Sequence, residues 1–138
     1  INALDLHWTM SVAANDNLYY SARKDENTDI FVSRYIDGEY TDPVQLDSPV
    51  NTEELEFTPN IAPDESYLLF TRVADNSSNP FLHIAYALES GWSEPVKVEN
   101  ISYCISPIIT PDRAYLIYMS SPSFFEWRGT SFIEELRP

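Results

Sequence analysis

Residues 59–70 read PNIAPDESYLLF, and residues 107–118 read PIITPDRAYLIY. Both stretches contain a Pro-Asp step that is followed, after two intervening residues, by a Tyr and a short apolar run. The two Pro-Asp steps lie 48 residues apart (112 − 64). A looser copy, MSVAANDNLYY, occupies residues 10–20 and is one residue shorter through its turn. A period of this length indicates a repeat architecture in which each repeat is one supersecondary unit.

A second motif recurs in the same order as the first. Residues 38–44 read GEYTDPV and residues 91–96 read GWSEPV, with their prolines 52 residues apart (95 − 43). Two motifs that recur in one order make the repeat a strong signal. The chain is therefore treated as one domain, 1–138, whose predicted units are approximately 7–48, 55–99 and 103–138.

Short apolar stretches of strand length fill each unit. The predicted inner strands are 12–14, 60–62 and 108–110, each ending at an Asn-Asp or Pro-Asp turn. The predicted second strands are 18–21, 67–71 and 115–119, the third strands 29–34, 82–87 and 124–128, and the fourth, outer strands 40–46, 92–98 and 131–136. A helix competes only in the last of these stretches. Four short antiparallel strands per unit predict an all-β fold, a β-propeller segment of three four-stranded blades, or half of a six-bladed ring.

The turn motif carries a resemblance to a known family. Pro63-Asp64 with the run 67–71, and Pro111-Asp112 with the run 115–118, are similar to the WD40-like Pro-Asp repeats of TolB-type β-propellers. The resemblance covers nearly the whole chain. It implies a propeller fold but no single activity, since the repeat occurs in binding proteins, periplasmic assembly factors and non-catalytic domains of peptidases. It favours the bacterial periplasm or cell envelope as the location.

Two features depart from that family. Its turns usually place Gly after Asp, whereas Glu65, Arg113 and Asn17 follow here. Its rings usually contain about six blades, whereas three are predicted. An open arc of three blades exposes the apolar faces of its first and last blades, and such patches normally mark an interface. Either two copies close a six-bladed ring head to tail about a two-fold axis, or the chain is the C-terminal half of a larger propeller that is attached to, or part of, a hydrolase.

The charge balance restricts the classes of partner. Eight basic and 22 acidic residues give a net charge of −14. Nucleic acids and anionic membranes both need Lys and Arg to replace their counterions, so neither is an expected partner. No apolar run is long enough for a membrane span. We expect a protein or peptide partner, or a second copy of the chain, and basic peptides, cationic proteins or divalent metals suit the charge.

The residues that could carry catalysis are few. His7 and His83 occupy different phases of the repeat, and no zinc-binding pattern, nucleophile elbow or phosphate-binding loop is present. Cys104 could be a nucleophile, although a free Cys is more often a small buried apolar residue. The acidic stretch 25–29 could hold calcium, although it lacks the spacing of a calcium-binding loop and an ordinary hairpin loop is favoured. We therefore predict a non-enzymatic protein without metal or cofactor.

A ligand site is predicted at the rim of the central channel, where equivalent positions of successive blades meet. The repeat alignment places His7, Glu56 and Cys104 at one position and aligns Arg23 with Arg72. His7, Glu56 and Arg72 form the predicted site. The alternative is that the Arg pairs with a carboxylate of its own blade. A ligand role predicts that Glu56→Ala weakens binding without unfolding the protein.

Overall fold

The computed structural model describes the backbone of residues 5–24, 27–74 and 79–138, and the side chains of these ranges except residues 5–8 and 24. This part of the chain forms strands and one short helix. In chain order they are β1 (Asp5–Val12), β2 (Leu18–Lys24), β3 (Asn27–Ser33), β4 (Tyr35–Ile36), β5 (Glu39–Tyr40), β6 (Val44–Gln45), β7 (Leu55–Ile61), β8 (Tyr67–Val73), β9 (Phe81–Leu88), β10 (Gly91–Trp92), β11 (Val96–Lys97), β12 (Ile105–Ile109), β13 (Tyr115–Ser121), β14 (Phe124–Gly129) and α1 (Phe132–Glu135).

The strands form antiparallel sheets that follow one another along the chain. The first sheet has the order β1-β2-β3-β6, the second has β7-β8-β9 with both β10 and β11 on β9, and the third has β12-β13-β14. A two-stranded ribbon, β4-β5, extends from the first sheet. The all-β prediction is confirmed, and the arrangement is that of a partial propeller. Among the described residues, no helix is long and apolar enough to cross a membrane.

Two apolar cores lie between successive sheets. The first core joins side chains of the first sheet, Tyr19, Ile30 and Val32, to side chains of the second, Leu68, Phe70 and Ala85. The second core joins the opposite face of the second sheet, Leu69, Ile84 and Tyr86, to Leu116 and Tyr118 of the third. Each strand of the second sheet therefore alternates between two buried faces, as period-2 side-chain geometry requires.

The predicted last strand, 131–136, is wrong, because this stretch forms the helix α1. Phe132 and Ile133 are both buried in the core between the second and third sheets. Adjacent residues of a strand would point to opposite faces of the sheet, whereas a helical turn lets both reach one core. The hydroxyl of Tyr86 donates a hydrogen bond to the Ile133 carbonyl and fixes the turn on the second sheet.

The inner strands begin earlier than the apolar pattern predicts, and His7 lies within β1 rather than before it. Each inner strand passes through a bulge, between His7 and Met10 in β1, between Phe57 and Asn60 in β7, and between Ile105 and Ile108 in β12. Thr58 and Ser106, in the second and third bulges, adopt left-handed backbone angles (φ 49° and 52°). A bulge adds a residue and interrupts the alternation that reveals a strand in the sequence.

The predicted outer strands 40–46 and 92–98 are each broken into two short pieces. In the second sheet, β10 pairs with the end of β9 at Ala87 and Leu88, while β11 pairs with its middle at His83 and Ile84. Pro95 separates the two pieces, and Pro43 separates β5 from β6. Because proline cannot donate to the ladder, pairing stops beside it.

Candidate functional site

The predicted ligand residues Glu56 and Arg72 lie directly opposite each other on β7 and β8. The Arg72 Nε donates to Oε1 of Glu56 at 2.8 Å. The Thr52 hydroxyl donates to the same oxygen at 2.6 Å, and the Thr52 backbone amide donates to Oε2 at 3.2 Å. Both oxygens of this fully buried carboxylate are therefore occupied by groups of the chain itself.

Arg72 links the same carboxylate to the segment that joins the first two sheets. Its Nη2 donates to the backbone carbonyls of Pro49 at 3.1 Å and Val50 at 3.0 Å. The guanidinium also lies 5.4 Å from the centre of the Phe70 ring. A planar guanidinium with donors on several edges is suited to hold a carboxylate and carbonyls together. The pair therefore fixes the linker against the second sheet.

The electrostatics of Glu56 follow from its burial. Removal from water raises the pKa of Glu56, and the hydrogen bonds of Thr52 and the charge of Arg72 oppose that rise without cancelling it. A buried carboxylate tolerates its charge only when paired and hydrogen-bonded. Glu56 and Arg72 thus form an ion pair within one sheet. This agrees with the alternative from the sequence, in which the Arg pairs with a carboxylate of its own blade. Their role in binding a ligand stays a prediction.

The register places His7 at a different position from the one that the sequence alignment predicted. The last pairs before the three bulges are His7 with Ser21, Phe57 with Thr71, and Ile105 with Met119. Each pair is separated by 14 residues (21 − 7, 71 − 57, 119 − 105). His7 is thus equivalent to Phe57 and not to Glu56. Its side chain lies outside the described residues.

The first sheet has no equivalent of the Glu56–Arg72 pair at that position. Leu6 is opposite Ala22 where Glu56 is opposite Arg72, and Arg23 is opposite Asp5, one step further along. The alignment of Arg23 with Arg72 is therefore wrong by one residue in the register. The turn after β1 is one residue shorter than the turn after β7, which shifts a sequence alignment that is anchored on the turn.

Cys104 and His83 are both held in apolar surroundings. Burial raises the pKa of the Cys104 thiol to about 12, so the thiolate that a nucleophile requires is scarce at neutral pH. Burial also lowers the pKa of His83 to about 4, and its ring stacks on Phe70 with 5.8 Å between centroids. The Cys104 carbonyl accepts a hydrogen bond from the Thr71 hydroxyl, which joins the second and third sheets. The contacts of both residues are structural.

The acidic stretch considered for calcium is described only in part, since residues 25 and 26 lie outside the described residues. Asp29 is buried and accepts hydrogen bonds from the side-chain amides of Gln45 at 3.0 Å and Asn27 at 3.3 Å. Among the described side chains, those of residues 9–23, 27–74 and 79–138, no three His, Cys, Asp or Glu come together as metal ligands.

The turn after β7 makes a contact that the sequence did not indicate. The Glu65 carboxylate accepts hydrogen bonds from Asn15 at 2.8 Å, Asn17 at 3.0 Å and the Tyr19 hydroxyl at 2.7 Å, all from the first repeat. Burial alone would raise the pKa of Glu65, but these hydrogen bonds together hold it below its ordinary value. The signal in the sequence is that Glu65 stands where the family usually has Gly. Glu65 adopts a left-handed φ of 56°, a conformation that favours Gly.

Two glycine substitutions at equivalent turn positions are expected to have opposite effects. Arg113 also has a left-handed φ, 59°, and its exposed side chain makes an ion pair with Asp64, at 3.9 Å. Arg113→Gly should raise the free energy of unfolding by about 0.5–1 kcal/mol, because Gly accepts this conformation without a clash. Glu65→Gly should lower it by about 1–3 kcal/mol, because three hydrogen bonds between repeats are lost. Urea unfolding of both variants tests this, and a shift of the same sign in both would contradict it.

The outer face of the third sheet is an uncovered apolar surface, here called the open face. Its side chains point away from the second sheet and are Ile108, Tyr115, Ile117, Phe125 and Trp127. Phe125 and Trp127 are 70% and 68% exposed. The equivalent side chains of the second sheet, Leu69, Leu82 and Ile84, are fully buried by the third sheet. The open face therefore has the position of a sheet contact but is not covered by any described residue.

A solved structure similar to this chain is that of TolB from Acinetobacter baumannii. The two superpose with a TM-score of 0.56 and 13% sequence identity, over 88% of this chain and 29% of that chain. This chain thus spans less than a third of the TolB chain. At this identity the likeness concerns the fold alone, and it supports a TolB-like propeller fold. No protein-family model matches the chain, and no curated protein matches it in sequence.

Proposed function

We propose that this chain is a propeller segment of three blades that acts as a non-enzymatic protein-binding or assembly module, with the open face as its contact surface. The observation that carries the proposal is the exposure of Phe125 and Trp127 at positions that the next sheet buries elsewhere in the fold. Contiguous exposed apolar patches on a protein surface mark sites of association. The TolB-like fold agrees with a role in protein binding.

The occupant of the open face is a second copy of the chain. In each internal contact, the face of one sheet that carries Leu69 or its equivalent packs on the opposite face of the next sheet, which carries Leu116 or its equivalent. On that opposite face of the first sheet, Met10 and Val12 of β1 are 56% and 52% exposed, whereas Leu18, Tyr20, Ala22 and Phe31 are buried, so only the β1 side of this face is open to a second copy. Two copies related by a two-fold axis bring each open face onto a first sheet, which closes a ring of six blades.

The mass in solution tests this proposal. Light scattering behind a sizing column, over a tenfold range of concentration, should give twice the chain mass of 15.8 kDa. Trp127→Glu places a charge in the open face and should give a monomer, because an unpaired charge is costly to bury. Val44→Glu is the matched control, since Val44 is an exposed apolar residue of β6 outside both contact faces. A parent chain that is monomeric throughout would overturn the dimeric ring.

The alternative is that these blades are the C-terminal half of a larger propeller that is attached to, or part of, a hydrolase. The coverage of 29% of the TolB chain agrees with such a division. In this case the open face contacts further blades of the same polypeptide. A longer polypeptide with upstream blades should then be monomeric and should protect the Trp127 side chain from quenching by iodide, whereas the present chain leaves it accessible.

A further inference from the structure

The outer edge of β14 differs from the corresponding edge of the other two sheets. The third strand of the first sheet carries β6 on its outer side, and the third strand of the second sheet carries β10 and β11. Among the described residues nothing pairs with the outer edge of β14. The chain leaves β14 for α1, of which Phe132 and Ile133 are buried in the core between the sheets, while Glu134 and Glu135 are exposed. An edge of this length presents unpaired main-chain donors and acceptors.

The main-chain groups at this edge can be assigned by register. In the second sheet the Leu82 carbonyl accepts a hydrogen bond from the Val98 amide, at 2.9 Å, on the outer side of β9. Leu82 is opposite Thr71, and Phe125 is opposite the equivalent residue, Met119. The polar groups of Phe125 and, two residues on, Trp127 therefore point to the open edge, because main-chain direction alternates along a strand.

The outer strand of the second sheet shows which side chains suit this position. Val96 is opposite Ile84 and Lys97 is opposite His83. The ammonium group of Lys97 lies 3.5 Å from the centre of the Phe81 ring, which is a cation–π contact. The strand that pairs with the edge of β9 therefore carries an apolar residue next to a basic residue at these positions.

The side chains at the same positions of β14 also favour an apolar residue next to a basic residue in an added strand. Trp127 is equivalent to Ile84 and Glu126 to His83, and Phe124 precedes Phe125 as Phe81 precedes Leu82, although a bulge in β13 places Ser121 opposite Phe124. The Phe124 ring is 69% exposed and has no cation over it among the described residues, and Glu126, whose carboxylate accepts a hydrogen bond from the Tyr118 hydroxyl at 3.0 Å, stands where the second sheet has His83. A basic side chain from outside would lie over Phe124 and beside Glu126. The net charge of −14 favours the approach of such a segment.

We propose that the outer edge of β14 binds an extended, basic segment of a partner protein, in which apolar and basic residues alternate, as a fourth antiparallel strand. This inference rests on the proposed role as a protein-binding module and identifies the chemistry of the partner. Main-chain hydrogen bonds to the edge supply affinity, and the alternating side chains supply specificity. The site borders the open face, since both include Phe125 and Trp127, but it uses their main-chain groups at the edge of the third sheet, whereas the open face uses their side chains.

Synthetic peptides test the site without changing the protein fold. The probe is acetyl-KVKVKVK-amide, titrated into the intact chain and followed by Trp fluorescence and by NMR of the protein amides. In the second sheet the edge-facing amides are those of the apolar residues, as Val98 shows. N-methylation of the Val residues should therefore weaken binding by at least about tenfold, since it removes the main-chain hydrogen bonds. N-methylation of the Lys residues, whose amides face solvent, should leave affinity within about twofold.

Protein variants separate charge from strand addition. Glu126→Gln should weaken binding several-fold, whereas Glu89→Gln, a matched change in the turn between β9 and β10, should have no effect. Protection of the Phe125 and Trp127 amides on binding would support the site. Equal binding by both N-methylated peptides, no binding of the probe, or protection confined to other strands would overturn it.

Failure of the edge site and failure of the ring proposal give different results. A dimer that does not bind the probe removes the edge site and leaves the ring intact. A monomer that binds the probe removes the dimeric ring and supports the edge site. If the probe dissociates a dimer, a second copy occupies the edge, and the basic partner segment is excluded.

Discussion

Glu56→Ala is expected to lower the free energy of unfolding by about 3–5 kcal/mol, the range for removing one partner from a buried ion pair. The change leaves the Arg72 guanidinium without the carboxylate 2.8 Å away and leaves the Thr52 hydroxyl without its acceptor. The two carbonyls of Pro49 and Val50 still accept from Arg72, and the Glu54 carboxylate stays 3.6 Å from its Nε, which places the expected loss towards the lower end. Urea unfolding at neutral pH, followed by circular dichroism, measures the difference.

The controls separate charge from contact. Glu56→Gln keeps the volume and an acceptor for Thr52, so it should cost less than Glu56→Ala. Adding Arg72→Met to Glu56→Ala should restore part of the lost stability, because no buried charge is then left unpaired. If Glu56→Ala instead keeps the stability of the parent and only weakens binding of a ligand, the pair has the role that the sequence predicted for the channel rim.

Leu116→Ala is expected to lower the free energy of unfolding by about 2–5 kcal/mol, the cost of a cavity in a packed core. The matched change at the next residue, Ile117→Ala, should cost less than about 0.5 kcal/mol in a monomer, as for an exposed position. The two side chains point to opposite faces of β13, with Leu116 fully buried and Ile117 39% exposed. Urea unfolding of both variants gives the comparison.

The same pair of variants reports whether the open face is covered in solution. If the parent chain is a dimer, Ile117→Ala should cost stability that increases with protein concentration, since association then contributes to folding. Equal losses for both variants at a concentration where the chain is monomeric would contradict the assignment of faces.

The repeat is the strongest signal in the sequence because it is identified from the residues of the turns and not from the alternation of apolar and polar residues along the strands. Pro63-Asp64 and Pro111-Asp112 each precede a residue with a left-handed φ, so the turns that the sequence identified are the turns of the structure. The second strands followed directly, since the apolar run after each turn is buried in β8 and in alternate residues of β13.

The errors came from places where local sequence and tertiary contact disagree. The inner strands were predicted too short because the bulges interrupt their alternation. The last stretch was assigned to a strand because Phe132 and Ile133 look like a strand core, whereas their burial with Tyr86 requires a helical turn. Such contacts between distant segments outweigh local propensity.

In the candidate site too, the contacts of single side chains with distant residues could not be predicted from the local sequence. The sequence named Glu56 and Arg72 and left open whether the Arg pairs with a carboxylate of its own blade, and the register resolves the partner as Glu56. The sequence could not place His7, because its alignment depended on the spacing between the turn and the strand. Glu65 was treated only as a departure from a turn pattern, and its three partners in the first repeat are 46–50 residues away.

The two irregularities of the first hairpin have a consequence for how such repeats can be recombined. From His7 to Ser11, β1 uses four residues where β7 uses three from Phe57 to Asn60, while the turn that follows is one residue shorter. The two changes cancel, so the hairpin ends in phase with its neighbours. A chimera that exchanges the whole hairpin between repeats keeps every side chain on its own face. A crossover between bulge and turn shifts the second strand by one residue and turns its core side chains to the wrong face.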